Sequence, residues 1–364
     1  MKKNKKSKEF ELTEIVDLTP ENNEVGINRF KTKDGIHSFK VRFASTIILL
    51  LFLLFFIVTG ALYTSLINIF DTDIFSYLSI VSTILVLSFC LFEINMALNF
   101  SKWYLQMFFI LVGIFIYIFP TSKDLYNFSF YQKMNLSSWF SSWQLPVIIC
   151  IILFFYFLSS FINKSILKKD TLVNFMISMI IIFGLKGFSI ASLSLNPFYE
   201  VTESISARFS FNTIIWIWLM IILSDSFAYI GGMTLGKTKL ASVISPKKTW
   251  EGALIGLSVS TFFGIIYALI FIFTLDDYKP LNETMELIKT KSQAIQILIY
   301  ILLAVAFPII GLFGDLLFSW VKRSVKIKDF SKLIPGHGGL LDRLDSIVFS
   351  LFILFLFLTL ANTV

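Results

Sequence analysis

Four aspartates in the second half of this 364-residue chain have the residue type and spacing of a metal site. Asp225 interrupts one long apolar run and Asp315 lies near the end of another, while Asp342 and Asp345 precede a third. The last two are three residues apart and therefore share one face of a helical turn. A carboxylate at the centre of a membrane helix costs about 2.5 to 3.5 kcal/mol, so Asp225 indicates a partner or a wet cavity. A structural hydrogen bond for Asp225, and stabilisation of a helix N-terminus by the other two, are the simpler alternatives.

Cations, hydroxyls and glycines suited to phosphate accompany these acids. Residues 231–252 combine glycines with four lysines and with hydroxyl side chains that include Ser245 and Thr249. Ser319 and Lys322 follow Asp315 at helical spacing with Arg323 beside them, so a carboxylate, a hydroxyl and two cations are expected to face one place. Three glycines surround His337, a spacing that leaves backbone N–H groups open to a ligand. A positively charged inner membrane surface and a structural His337 are the competing interpretations.

Acids and cations in this combination favour chemistry on a polyphosphate. Carboxylate oxygens suit Mg²⁺, which keeps waters and bridges protein carboxylates to substrate phosphates. Phosphoryl and nucleotidyl transfer depend mainly on positioning and on neutralising charge, which the surrounding cations would supply. The residues therefore predict a metal-dependent reaction at the cytosolic face, with one Mg²⁺ ion or two.

The elements that must position these residues are membrane helices. The chain is 56% hydrophobic with a mean hydropathy of +0.79, and only 15% of its residues are charged. Soluble domains carry about 25% charged residues, so the composition excludes that class. A helical span needs roughly 20 apolar residues, and nine runs approach that length; three are short, so eight or ten spans stay open. The runs are Phe43–Ile67, Ile74–Leu98, Trp103–Phe119, Leu145–Ile162, Leu172–Leu195, Thr213–Gly232, Ala253–Phe273, Ile295–Leu317 and Ser346–Ala361.

The distribution of positive charge predicts the orientation. With nine spans and the amino terminus in the cytosol, 24 of the 31 lysines and arginines fall inside and 6 outside, as the positive-inside rule requires. The predicted fold class is all-α: a polytopic integral membrane protein of about nine transmembrane helices with a cytoplasmic N-terminus. Residues 1–42 are predicted to be a polar basic cytosolic tail, 43–200 the N-terminal helices and 201–364 a catalytic transmembrane domain.

The last third of the chain carries a long motif at fixed spacing. Its residues are Ser319, Lys322, Arg323, Lys328, Asp329, His337, Gly338, Gly339, Asp342, Arg343 and Asp345, preceded by the blocks DSFAY at 225–229 and ISPKKTWEG at 244–252. The set resembles, position for position, the motifs of the phosphatidate cytidylyltransferases, also called CDP-diacylglycerol synthases. Met233 departs from that pattern, because the family usually has a basic residue there; Lys237 and Lys239 are candidates to compensate.

The resemblance implies that CTP and phosphatidate react at the cytosolic face of the cell membrane, giving CDP-diacylglycerol and pyrophosphate. The implied metal ligands are Asp225, Asp315, Asp342 and Asp345. The residues expected to act in catalysis are Asp315, Asp342, Asp345, Lys322 and Arg323. Those expected to bind substrate are Ser245, Lys247, Lys248, Thr249, Ser319, Lys328, His337, Gly338, Gly339 and Arg343.

Other functions remain open on the sequence. A transporter would use Asp225, Lys186 and Glu93 as charges along a pathway, although the acids cluster at one face. A catalytically inactive scaffold and a CTP-dependent lipid-alcohol kinase are further alternatives. Lys186 and Glu93 are also candidates for a buried ion pair or for the lining of a lipid cavity. The net charge of +7 fits a membrane surface without requiring nucleic acid, and a homodimer stays open.

Overall fold

The computed structural model describes residues 51, 54–64, 73–122, 124–136, 143–163, 166–195, 207–289, 292–331 and 338–361. This part of the chain is built almost wholly from α-helices, which confirms the predicted all-α class. The predicted tail, residues 1–42, and His337 lie outside the described residues, so both stay predictions.

Eleven α-helices follow one another along the described part of the chain. The α-helices are α1 (Leu54–Thr64), α2 (Ile74–Ala97), α3 (Trp103–Ile118), α4 (Ser129–Lys133), α5 (Gln144–Ile162), α6 (Lys168–Leu193), α7 (Asn212–Leu235), α8 (Trp250–Thr274), α9 (Asn282–Lys289), α10 (Gln293–Ser324) and α11 (Leu341–Ala361). Two strands, β1 (Lys239–Ala241) and β2 (Ser245–Thr249), form one antiparallel hairpin between α7 and α8.

Seven of the described helices are long and apolar enough to cross a membrane, and α1 and α3 are shorter apolar helices. Within the described residues each of the nine predicted runs overlaps one of these helices, because backbone groups in lipid must find their hydrogen bonds within the segment. The polytopic architecture is therefore confirmed, whereas the number of spans stays a prediction.

Helix α6 lies at the centre of the bundle. In its most apolar 18-residue window 83% of the residues are buried, against 56% for α11. Gly184 and Gly187 of α6 face the backbone of α11, where a Cβ at either glycine would lie 2.5 Å from the carbonyl oxygen of Val348 or Leu351. Small residues allow such close approach, which drives helix association in lipid. These two helices lie on opposite sides of residue 200, the predicted domain boundary, which stays a prediction.

Gly187→Ala is expected to lower the free energy of unfolding by about 1 to 3 kcal/mol, because the added methyl overlaps the Leu351 carbonyl and Phe355. Gly311→Ala in α10 is the matched control, since the same methyl there would lie 3.3 Å from its nearest neighbour, a side-chain carbon of Ile221. Thermal unfolding of the two variants in detergent makes the comparison. Equal stability of the two variants would contradict the close α6–α11 packing.

Lys186, in the middle of α6, makes contacts confined to the N-terminal half. Its ammonium donates to the backbone carbonyls of Ile116 (3.0 Å) and Phe119 and lies 5.5 Å from the centre of the Tyr126 ring. The carbonyls at the end of α3 have no partner within that helix, so the buried cation stabilises them. Lys186 does not pair with Glu93, and that alternative is wrong.

The second half of the chain is organised around α7 and α8, which pack along their lengths. Gly252 and Gly256 of α8 lie against the carbonyls of Ala228 and Ser224 in α7, so that an added Cβ would overlap them. The hairpin closes this pair, with Lys239 opposite Thr249. Helix α10 has 32 residues and is therefore about 48 Å long, which carries its C-terminal turns beyond a hydrocarbon core of about 30 Å.

Candidate active site

A cavity of about 800 Å³ lies where α7, α8 and α10 meet the hairpin and the start of α11. It joins residues 225–253, 312–329 and 342–346, so that acidic and basic side chains from distant parts of the sequence face one space. The predicted residues that line it are Asp225, Lys247, Lys248, Thr249, Asp315, Lys322, Asp342, Arg343 and Asp345. The structure thus gathers the acids and most of the cations at one end of the bundle.

Three carboxylates, on α7, α10 and α11, form the acidic wall of the cavity. Asp225 of α7, Asp315 of α10 and Asp345 of α11 lie close enough to repel one another electrostatically. The Lys248 ammonium forms an ion pair with Asp315, which also accepts a 3.2 Å hydrogen bond from the Ser319 hydroxyl. Like charges crowded in a buried site are costly unless cations compensate them, and Lys248 supplies part of that compensation.

Lys322 connects the end of α10 to the first turn of α11. Its ammonium lies 2.9 Å from Oδ1 of Asp342 and 3.9 Å from Oδ2 of Asp345, and all three side chains are buried. The predicted sharing of a helix face by the two aspartates is therefore observed. One cation between two buried carboxylates leaves a net negative charge at the cavity wall.

Asp342 also holds the backbone in front of α11. Its Oδ2 accepts hydrogen bonds from the backbone N–H groups of Phe330 (2.8 Å) and Gly339 (2.9 Å). Gly338 has φ +87°, a conformation that costs little only for glycine, and a Cβ there would lie 3.2 Å from the same oxygen. Both oxygens of Asp342 are thus engaged with the protein itself.

The hairpin delivers the lysines because both of its ends are fixed to α8. Thr249 caps the helix, with its hydroxyl oxygen accepting a 3.2 Å hydrogen bond from the Gly252 N–H. Glu251, in the first turn of α8, accepts hydrogen bonds from the backbone of Lys237 and from the backbone and hydroxyl of Thr238. Lys247 and Lys248, next to the cap, consequently face the cavity.

Not every predicted site residue lines the cavity. Arg323 donates to the carbonyls of Ile244 (3.3 Å) and Ile327 (3.2 Å), so it ties the hairpin to the end of α10. The predicted residues outside the lining are Ser245, Ser319, Arg323, Lys328, Gly338 and Gly339, and His337 lies outside the described residues. Their predicted roles, like those of the lining residues, stay predictions.

The lining also includes residues to which the sequence assigned no role, among them Tyr229, Asp329 and Ser346. Asp329 follows Lys328 within the motif, and Tyr229 ends the 225–229 block. Their places in the motif were therefore the only indication in the sequence that they belong to the site. Met233 lines the cavity and is 64% exposed, and Lys239 lines it as well. Of the two lysines predicted to compensate for Met233, Lys239 lines the cavity and Lys237 does not, and the compensation itself stays a prediction.

The carboxylates of the acidic wall are suited to a Mg²⁺ ion that enters the site together with the substrate phosphates. Within the described part of the chain, no three acidic, histidine or cysteine side chains come close enough to hold an ion by themselves. Mg²⁺ requires less, since it usually takes one or two carboxylates and completes its shell with water and substrate phosphates. Two of the three mutually repelling carboxylates would meet that requirement.

Comparison with known proteins places this arrangement in a wider context. A sequence profile described as the cytidylyltransferase family matches residues 36–361. "Phosphatidate cytidylyltransferase 5, chloroplastic" of Arabidopsis thaliana is 40% identical over 134 residues, which are 36% of this chain and 27% of that protein. "Phosphatidate cytidylyltransferase" of Rickettsia typhi is 37% identical over 146 residues, 40% of this chain and 58% of the relative.

A third relative carries the same printed name. "Phosphatidate cytidylyltransferase" of Brucella abortus is 34% identical over 171 residues, 47% of this chain and 53% of the relative. In each of these three comparisons the alignment covers less than two thirds of the relative's length.

Proposed function

Because this chain belongs to the cytidylyltransferase family, we propose that it transfers the cytidylyl group of CTP to phosphatidate, giving CDP-diacylglycerol and pyrophosphate. The observation that carries the proposal is the cavity wall, on which Asp225, Asp315 and Asp345 stand beside the cations Lys248 and Lys322 at the end of a bundle of apolar helices. A lipid phosphate and a nucleoside triphosphate both need such cations. The printed names of the three relatives support the same reaction.

In this reaction a phosphate oxygen of phosphatidate attacks the α-phosphorus of CTP. The new bond joins that oxygen to the α-phosphorus, and the bond from the α-phosphorus to the bridging oxygen breaks, so that pyrophosphate leaves with the electron pair. The attacking oxygen is already ionised near neutral pH, so no strong general base is required. Catalysis then rests on positioning the two substrates and on neutralising their charge.

The cations of the wall take the phosphates in this proposal. Lys247, Lys248 and Arg343 line the cavity beside the acids and would bind the triphosphate and the leaving pyrophosphate. Lys322 of α10 is held between Asp342 and Asp345, and these ion pairs would fix the position of the first turn of α11 relative to α10. Charge neutralisation by fixed side chains in a water-poor site costs no reorganisation when the bond breaks.

Magnesium is the cofactor that we propose, as one ion or two. Two of the three carboxylates Asp225, Asp315 and Asp345 would hold it together with substrate phosphates, whereas Asp342 is bound to Lys322 and to two backbone N–H groups. Bound there, the ion would supply charge neutralisation and orientation of the two phosphates. Everything else in the proposal is done by side chains of this chain.

The proposed active site faces the cytosol. With the amino terminus inside, the C-terminal end of α10 emerges on the side where 24 of the 31 lysines and arginines accumulate. CTP is a cytosolic nucleotide and cannot cross lipid, so a cavity at that face would be accessible to it. Phosphatidate, a lipid, would reach the cavity from the surrounding bilayer.

A transporter is disfavoured by the contacts of the two remaining membrane charges. Lys186 is bound to carbonyls at the end of α3, and the oxygens of Glu93 accept hydrogen bonds from residues near the start of α11. Neither residue lines the 800 Å³ cavity. Charges fixed in this way are stabilising contacts, and a translocation pathway would need them accessible.

The first experiment follows the label of CTP. Purified protein in detergent receives phosphatidate, Mg²⁺ and CTP labelled either at the α- or at the γ-phosphorus, with diacylglycerol as the alternative acceptor. Cytidylyl transfer puts the α-label into lipid and the γ-label into pyrophosphate. Label from the γ-position in lipid would instead indicate a CTP-dependent lipid kinase, and no labelled lipid from folded protein would leave the scaffold alternative.

A further inference from the structure

Glu93 is a fully buried carboxylate in α2, a helix that contributes no residue to the cavity. An ionised group at 0% exposure needs strong compensation, because isolated charge is excluded from a protein interior. Its partners therefore indicate what the residue does. They lie more than 230 positions away in the sequence, around the proposed active site.

Three hydrogen bonds converge on this carboxylate. Oε1 accepts from the Ser331 hydroxyl at 2.6 Å and from the Leu340 N–H at 2.9 Å, and Oε2 accepts from the Leu341 N–H at 2.8 Å. The two amides belong to the start of α11, where N–H groups have no partner within the helix. A helix usually satisfies these groups with its own capping residue, whereas here a different helix supplies the acceptor.

The contact with Glu93 requires glycine at position 339. A Cβ at that position would lie 2.6 Å from Oε2 and 2.8 Å from Oε1 of Glu93, closer than real Cβ contacts. The missing side chain thus lets the backbone before α11 rest directly on the carboxylate. The second and third glycines of the motif consequently serve different purposes, since Gly338 provides a φ of +87° and Gly339 provides the close approach.

The neighbouring contacts show what Glu93 would hold in place. One residue beyond Leu341 stands Asp342, whose Oδ2 accepts from the N–H groups of Phe330 and Gly339. Glu93 and Asp342 together bind residues 330–331 to residues 339–341 from two sides. Arg343 and Asp345, in the same first turn of α11, line the cavity.

We propose that Glu93 is a positioning residue for the cytidylyl transfer: its buried carboxylate fixes the start of α11 and thereby the placement of Arg343 and Asp345 against α10. The inference rests on the proposed function for its effect on rate, and on the hydrogen bonds alone for its effect on the backbone. Glu93 touches no substrate in this scheme and acts through α11.

The test uses the full chain with Glu93→Gln, which keeps the shape of the side chain. One of the two glutamine positions becomes an NH₂ group, and whichever way the amide turns it faces at least one N–H or O–H donor. We expect kcat for CDP-diacylglycerol formation to fall about 10- to 100-fold, as for other residues that orient a site, with the KM values for CTP and phosphatidate changed much less.

Lys186→Met is the matched control, because it also removes a buried charge from the N-terminal half but touches carbonyls at the end of α3. Both variants are expected to lose thermal stability, and only Glu93→Gln should lose kcat per folded molecule. Ser331→Ala, which removes one of the three donors to Glu93, should lower kcat less than Glu93→Gln does.

Hydrogen exchange separates this inference from the proposed reaction. In wild-type protein the amides of Leu340 and Leu341 should be protected, and Glu93→Gln should speed their exchange while Lys186→Met does not. If wild-type protein makes no CDP-diacylglycerol, the reaction fails and the exchange result alone decides whether Glu93 holds α11. Unchanged exchange, or a kcat in Glu93→Gln equal to that of Lys186→Met, would overturn the inference.

Discussion

Asp315→Asn is expected to lower kcat for CDP-diacylglycerol formation by about 10²- to 10³-fold, the usual effect of removing one preorganised electrostatic group. Asp315 is the carboxylate around which the acidic wall is built, since it interacts with both Asp225 and Asp345 and pairs with Lys248. Asparagine keeps the shape and can still accept from Ser319. It removes the charge that the proposed ion and Lys248 both require.

The measurement is a steady-state assay with α-labelled CTP over a series of Mg²⁺ concentrations. Asp315→Asn should need more Mg²⁺ for half-maximal rate if the side chain is a metal ligand. Asp124→Asn is the matched control, because it makes the same chemical change at an exposed aspartate outside the cavity. Activity of Asp315→Asn within a few-fold of Asp124→Asn would remove Asp315 from the catalytic assignment.

Lys322→Met is expected to have the second large effect, on stability and activity together. Methionine has a similar volume, but the substitution leaves Asp342 and Asp345 buried without their shared cation. Breaking a buried pair by removing one partner costs about 3 to 5 kcal/mol. We also expect kcat to fall about 10²-fold or more, because the first turn of α11 loses its tie to α10.

Unfolding in detergent and the cytidylyl assay measure the two effects separately. Lys326→Met, an exposed lysine outside the cavity, is the matched control and should behave as wild type. The double variant Lys322→Met/Asp342→Asn should regain part of the lost stability, because one of the uncompensated charges is gone, without regaining activity. A single variant as stable as the control would show that the buried pair contributes little.

The amino-acid sequence by itself determined the class of fold and the segments that carry the chemistry. Nine apolar runs predicted the membrane helices because lipid imposes both their length and their internal hydrogen bonding. Helical periodicity correctly placed Asp315, Ser319 and Lys322 on one face and paired Asp342 with Asp345. The motif of the last third predicted a family that a profile over residues 36–361 confirms.

Only the tertiary structure decided which partners each acid contacts. The sequence placed Asp342 and Asp345 on one helix face, but only the fold shows that Asp342 is bound to Lys322 and to the N–H groups of Phe330 and Gly339. It likewise left Glu93 and Lys186 as a candidate pair, although each stabilises a different helix end. The length of an apolar run and the helical periodicity of its residues are local properties, so the sequence shows them directly. Which carboxylate meets which amide depends on how segments hundreds of residues apart pack, and here the close approach of Gly339 to Glu93 fixes that contact.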